Sequence, residues 1–168
     1  MLILDAHIDT LFRLVDSQET LETAAGHVNL GHFRQSKQGA QFFAAFIAPQ
    51  FYHGLALHRT MEMIDVFWQM LEQFPDDLAF AGSARDIVSA NEQGKFACLL
   101  AIEGGEALEG KLAHLRLFYR LGVRLITLTW NHRNQLASGQ VEGDKGGGLS
   151  LTGRRVVEEM NRLGMLID

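Results

Sequence analysis

The sequence predicts an α/β fold built on a parallel sheet, and three observations carry that prediction. Strand-like and helix-like stretches alternate with short joints marked by glycine, the pattern of a sheet whose crossovers are helices. The run Phe96-Ala97-Cys98-Leu99-Leu100-Ala101-Ile102 is apolar on both faces, as a strand covered on two sides must be. Finally, His7, Asp9, Glu103 and Asn131 all fall at the C-terminal ends of predicted strands. Parallel α/β sheets gather their ligands at that end.

Taken in order, residues 2–9 alternate with period two. Leu2, Leu4, Ala6 and Ile8 share one face, and Ile3, Asp5, His7 and Asp9 share the other. This predicts a strand with its apolar face under a covering layer. Leu11 to Val15 reads as a short helix or turn, and Ser17 to His27 as surface loop. Asn29 is placed to cap a helix through about Gln38, with Gly39 ending it. Gln41 to Ala48 is a buried, aromatic-rich strand closed by Pro49. Leu57, Met61, Ile64, Trp68 and Leu71 recur at three and four, predicting a helix from about Leu55 to Phe74 with that stripe inward.

Leu78 to Ala81 is a short extended piece, after which Ser83 and Asp86 form a capping box for a helix that Gly94 terminates. A helix from about Leu108 to Leu121 follows the Phe96 strand, with Leu112, Leu115, Phe118 and Tyr119 inward and Gly122 as its cap. Val123 to Thr129 is the next strand, and Ser138 to Gly148 a glycine-rich loop. Thr152 caps a helix ended by Gly164, and Met165-Leu166-Ile167 begins another strand. No fixed-period repeat or linker divides residues 1–168, so one domain is expected.

At 168 residues and 47% hydrophobic, the chain can bury a core. A net charge of −5 argues against nucleic acid or an anionic membrane as partner. The apolar runs fall short of the 18 or so residues of a membrane span, and Met1 leads straight into a predicted strand with nothing resembling a signal peptide, so no cleavable leader is expected. A lone cysteine, Cys98, lies inside an apolar run and reads as a small buried hydrophobe. The cytoplasm is the expected compartment.

The chemistry centres on His7 and Asp9. Two residues apart on a strand, they point the same way, so an imidazole nitrogen and a carboxylate oxygen can lean towards one ion; at about 2.0–2.2 Å each, they suit zinc. Glu103 ends the most apolar strand, sharing a face with the small residues Ala97 and Ala101, and Gly104-Gly105 behind it would let backbone pass close to an ion or substrate. Alternatively Glu103 is only where the chain meets water. His27 and His32, like His53 and His58, stand five apart and share no helix face, and no His-Glu-x-x-His occurs. These four read as surface or capping histidines, and His114 as half-buried in a helix. His132, past a strand end beside Asn131, is the best placed of the spare histidines. Neither a phosphate-loop signature around Gly146-Gly147-Gly148 nor a nucleophile elbow around Ser138 is present.

Asp5-Ala6-His7-Ile8-Asp9, Ala101-Ile102-Glu103-Gly104-Gly105, Leu125-Ile126-Thr127-Leu128-Thr129-Trp130-Asn131, the helix entry from Gly148 to Thr152, and Met160 to Asp168 together resemble the membrane (renal) dipeptidase family of zinc peptidases in order and spacing. The resemblance covers essentially the whole chain. It implies the N-terminal part, about five strands, of a (β/α)8 TIM-like barrel, and hydrolysis of small dipeptides by a hydroxide generated on a pair of zinc ions. His7 and Asp9 would hold the first zinc and Glu103 would bridge to the second, while Asp5, by its place on the same strand face as His7, is expected to steady the site through a hydrogen bond. Asn131 and His132 would lie near substrate. The family's second zinc also uses two histidines on later strands, which these residues lack, so the chain is expected to be part of a longer protein or to be completed by another chain. Some members carry a histidine where Trp130 stands. A homo-oligomer is compatible with the resemblance. The competing readings are another binuclear-metal hydrolase acting on an amide, lactam or ester, and an inactive half-barrel that serves as a binding module.

Overall fold

The structure, a computed structural model, describes residues 2–36 and 39–168. The predicted end of the second helix at Gln38 lies outside the described residues. In chain order the elements are β1 Ile3–Ile8, α1 Thr10–Leu14, α2 Leu30–Ser36, β2 Gly39–Phe46, α3 Ala56–Gln73, β3 Leu78–Phe80, α4 Ala84–Glu92, β4 Phe96–Glu103, α5 Leu112–Arg120, β5 Val123–Thr127, α6 Leu151–Leu163 and β6 Leu166–Ile167. They pack as two compact units, Met1–Ala45 with Glu62–Leu100, and Phe46–Met61 with Ala101–Asp168.

The first unit holds the strand order β1-β2-β4, with the short β3 on β4. The β1–β2 and β3–β4 pairs are parallel. Its core is aromatic. Phe33 stacks on Phe96 at 4.3 Å and meets Phe43 edge-on, and Phe43 in turn lies 5.9 Å from Phe67. This packing explains Gly39, which opens β2 instead of ending the preceding helix: a Cβ there would lie 2.4 Å from the Phe96 ring. The Asn91 side chain takes the place of a neighbouring strand at Gly39, accepting from its N–H at 2.7 Å and donating to its carbonyl at 3.1 Å.

Three further expectations are corrected in this unit. Leu2 and Leu4 are 42% and 46% exposed while Ile8 is half-buried, so the face of β1 expected to be covered is largely open towards its start among the described residues. The 17–27 segment is more than surface loop, because Leu21 and Ala24 are buried. In α3 the inward row is Met63, Ile64, Phe67, Met70 and Leu71, while Met61 is 42% exposed. By contrast, Ser83 caps α4 as expected: its hydroxyl accepts from the Asp86 N–H at 3.3 Å, and Asp86 accepts from the Gly82 N–H at 3.0 Å. Cys98 is fully buried, and burial pushes its thiol up.

The second unit takes the tip of β4 and adds β5 and β6, in the order β4-β5-β6. Beyond β4, Gly104 and Gly105 continue the pairing, donating to the carbonyls of Thr127 and Leu128 at 3.1 Å. β5 and β6 are parallel, Leu125 opposite Leu166 and Ile126 opposite Ile167. A 3₁₀ turn over Gly105–Leu108 fills the start of the predicted 108–121 helix, so α5 begins four residues later. Glu109 at φ 48° and Gly110 at φ 68° make the turn between them. Another 3₁₀ stretch, Gln140–Lys145, occupies the glycine-rich loop. Ser150, not Thr152, caps α6, its hydroxyl accepting from the Gly153 N–H at 2.9 Å. Gly164 closes that helix in the left-handed region as expected. No helix among the described residues is long and apolar enough to cross a membrane.

Candidate functional site

In the first unit the site is built on the end of β1. Asp5 pairs with Gln41 and Ile8 with Phe43, so three steps on β1 face two on β2. The extra residue is a local irregularity of the kind that re-aims side chains beside functional sites, and it falls where His7 leaves the sheet. His7 Nε2 lies 3.3 Å from Asp9 Oδ1. Asp9 stands at the N-terminus of α1 without spending its carboxylate on the helix cap. Asp5 accepts a hydrogen bond from the His7 backbone N–H at 3.0 Å, which steadies the main chain at His7.

These three residues line one wall of a groove of about 540 Å³, whose other wall is the segment Ala24–Val28. Arg13 also lines the groove and is tied by its guanidinium to the Glu19 carboxylate at 2.5 and 2.9 Å. His27 borders the groove as well, a placement that its sequence neighbours did not indicate. His32 is a capping histidine, exchanging hydrogen bonds with Asn29 through its backbone N–H and its Nδ1.

In the second unit, Glu103 is the last residue of β4 and half-buried, and its carbonyl accepts from the Ile47 N–H at 3.1 Å. Asn131 is half-buried, its carbonyl accepting from the Val141 N–H at 3.0 Å. His132 is exposed and sits edge-on to the Tyr52 ring, with centroids 6.5 Å apart. Trp130 meets Phe46 edge-on at 5.0 Å. His114 is mostly covered, as expected, with Nδ1 3.8 Å from a Glu109 oxygen.

Sequence reasoning missed Glu106. It sits in the turn behind Gly104, only 6% exposed, and neither carboxylate oxygen lies in a well-formed hydrogen bond with another described residue. Burial pushes its carboxyl up, opposed in part by its own backbone N–H, the nearby Asn134 amide and the His132 ring. Burial, reinforced by the charges of Glu106 and Glu103, pushes the Tyr52 hydroxyl to about 12.

A model of the membrane dipeptidase family, peptidase family M19, matches residues 1–168. The chain belongs to that family. It is 39% identical over 148 residues to Dipeptidase 3 of Mus musculus, covering 85% of this chain and 29% of the mouse protein. The human Dipeptidase 3 is 36% identical, with 85% of this chain and 30% of that protein covered. Among solved structures, the dipeptidase AC, a metallopeptidase of family M19, superposes with a TM-score of 0.86 at 26% identity, over 98% of this chain and 55% of that one. A metallopeptidase from Rhodobacter sphaeroides, solved with a phosphinate mimic of the dipeptide L-Ala-D-Ala, shares the fold at a TM-score of 0.83 and 23% identity, over 98% of this chain and 57% of that one. The fold is therefore the N-terminal part of the family's TIM-like barrel. The chain spans roughly a third of the length of these curated relatives.

Proposed function

We propose that this chain supplies the first metal ligands of a zinc-dependent dipeptidase. The observation that carries the reading is the His7–Asp9 pair. Two ligand atoms about 2.1 Å from one tetrahedral ion stand about 3.4 Å apart, and this nitrogen and oxygen are 3.3 Å apart at the rim of an open groove. With Glu103, which the family resemblance assigns to the same centre, the set would be one imidazole and two carboxylates, donors suited to zinc. Family membership supports the same reading.

In this proposal the residues divide the work. His7 binds as the neutral imidazole and Asp9 as the carboxylate, while Asp5 holds the main chain that aims His7. Glu103 is the carboxylate shared with a second zinc, whose remaining ligands the family resemblance assigns to later strands. Zinc bound there would polarise the scissile carbonyl and make a water acidic enough to act as nucleophile near neutral pH. Asn131 and His132, following β5, face the substrate.

The test is hydrolysis by the complete zinc-loaded protein of dipeptides with L- or D-configured C-terminal residues. Cleavage of dipeptides with turnover abolished in Glu103→Gln is expected. Hydrolysis of lactams or esters but no dipeptide would reassign the substrate, and full turnover in the variant would remove Glu103 from the site.

A further inference from the structure

The glycine-rich loop between β5 and α6 is fastened in a way that the proposed chemistry does not use. Ala137 and Leu149 close its base as an antiparallel bridge, and the Ser138 N–H donates to the Gly148 carbonyl at 3.1 Å. Its tip, the 3₁₀ stretch Gln140–Lys145, folds back on the chain that leaves β5: the Val141 N–H donates to the Asn131 carbonyl at 3.0 Å. Glu142 holds this return. One of its oxygens accepts from the Gly139 N–H at 2.8 Å and the other from Arg133 Nε at 3.2 Å. Burial raises the Glu142 carboxyl, but these hydrogen bonds outweigh it and hold the group below the usual carboxylate range. It is therefore ionised at neutral pH, and an ionised acceptor makes the stronger hydrogen bond. The fit beneath it is tight. A Cβ on Gly139 would stand 2.4 Å from the His132 carbonyl carbon and 2.5 Å from the Asn131 carbonyl oxygen. With φ at −93°, Gly139 is there for that close approach and not for an unusual dihedral.

We infer that Glu142 is a positioning residue: by capping Gly139 it seats the turn against the Asn131–His132 main chain and fixes how those two side chains reach the substrate. Both residues lie past the end of β5 at Thr127, in no helix or strand, so no regular ladder of backbone hydrogen bonds sets their direction. The turn does so instead, through the Val141 hydrogen bond on Asn131 and the Gly139 backbone against His132. The Tyr52 ring, edge-on to the His132 ring, completes the seat. Arg133 is the lesser arm, because its side chain is 60% exposed and an ion pair in water contributes little. The effect on substrate rests on the dipeptidase reading; the fastening of the main chain does not.

Hydrogen–deuterium exchange of the complete protein tests the fastening without any turnover. Residues 131–145 should be protected in the wild type and exchange faster in Glu142→Ala, with β4 and α6 unchanged. No change in that segment, or an increase spread evenly over the chain, overturns the inference. Kinetics with a dipeptide then test positioning. Glu142→Ala should raise KM about tenfold, the scale of one hydrogen bond to a charged group, with kcat little changed, as when uniform binding is lost. Gly139→Ala, which wedges the turn off the same main chain, should raise KM likewise. Glu142→Gln keeps an acceptor for Gly139, and Arg133→Met removes only the exposed arm, so both should stay within about threefold of the wild-type KM. Unchanged KM in Glu142→Ala or Gly139→Ala, or a Glu142→Gln variant as impaired as Glu142→Ala, overturns the positioning role while leaving the dipeptidase reading intact. A wild type that hydrolyses no dipeptide sinks that reading instead, and the fastening is then judged by the exchange result.

Discussion

The end of β1 and the turn behind Gly104 each hold acidic side chains, under opposite conditions. Asp9 is 54% exposed and paired with His7 at the rim of a groove, whereas Glu106 is enclosed, with neither oxygen in a well-formed hydrogen bond to another described residue. In water and next to an imidazole, a carboxylate stays ionised and can give its charge to a cation. Enclosed and unpaired, it is more stable with its proton and becomes a hydrogen-bonding group. The first environment suits a ligand and the second a support. The two should therefore respond differently to mutation.

The largest effect is expected on metal binding. His7→Ala and Asp9→Asn should each weaken zinc binding by more than about 100-fold, beyond the 10–100-fold typical when only a ligand's hydrogen-bond partner is lost. Unfolding free energy of the metal-free protein, from urea titration, should stay within about 0.5 kcal/mol, as for most surface substitutions. Gly104→Ala should reverse this pattern. A Cβ at φ 109° and 2.6 Å from Glu106 Oε2 should cost about 1–3 kcal/mol of stability in the same titration. If His7→Ala or Asp9→Asn loses as much stability as Gly104→Ala, the contrast between the two regions fails.

A smaller effect is expected at Asp5. Its hydrogen bond to the His7 backbone is exposed, so Asp5→Ala should weaken zinc binding about tenfold, the lower end of the range for such support, as read by competition with a chelator.

The pH dependence of stability separates the regions further. The folded-state Glu106 carboxyl titrates above its unfolded value. The folded protein therefore binds the extra proton, and stability falls as pH rises from the ordinary carboxylate range through the raised value. Glu106→Gln should flatten that limb in urea midpoints measured across pH. Glu159 provides the opposite sign and the smallest effect. Its hydrogen bond to Arg162, with help from Arg116, holds it at about 2. Its contribution is present above the ordinary carboxylate range and lost as pH falls towards 2, so Glu159→Gln should only slightly shift the acid-unfolding midpoint.

Much of this organisation was legible in the sequence. Strand ends carrying His7, Asp9 and Glu103, the Ser83–Asp86 cap and the two-sided apolar run through Cys98 follow from local pattern and survive folding because neighbours reinforce them. Other features depend on contacts that no local pattern records. The irregularity between Asp5 and Ile8 breaks strict alternation, and Asp5 meets the His7 backbone N–H there. Helix α3 is apolar over so much of its circumference that three-four spacing placed Met61 inward, while the Phe43 contact selects the row through Phe67. Gly39 resembled a helix stop until the Phe96 ring explained it. Glu106 drew no reading from the sequence; a second glutamate three residues past Glu103, followed by Ala107 and Leu108, was the available signal.

The most direct test of the account is an anomalous-scattering map at the zinc edge, collected from crystals of the complete zinc-loaded protein. The account predicts a peak about 2.0–2.2 Å from a nitrogen of His7 and an oxygen of Asp9, with a Glu103 oxygen as a further ligand of that ion. A peak coordinated elsewhere, or a fully loaded protein whose zinc ignores Glu103, would contradict it.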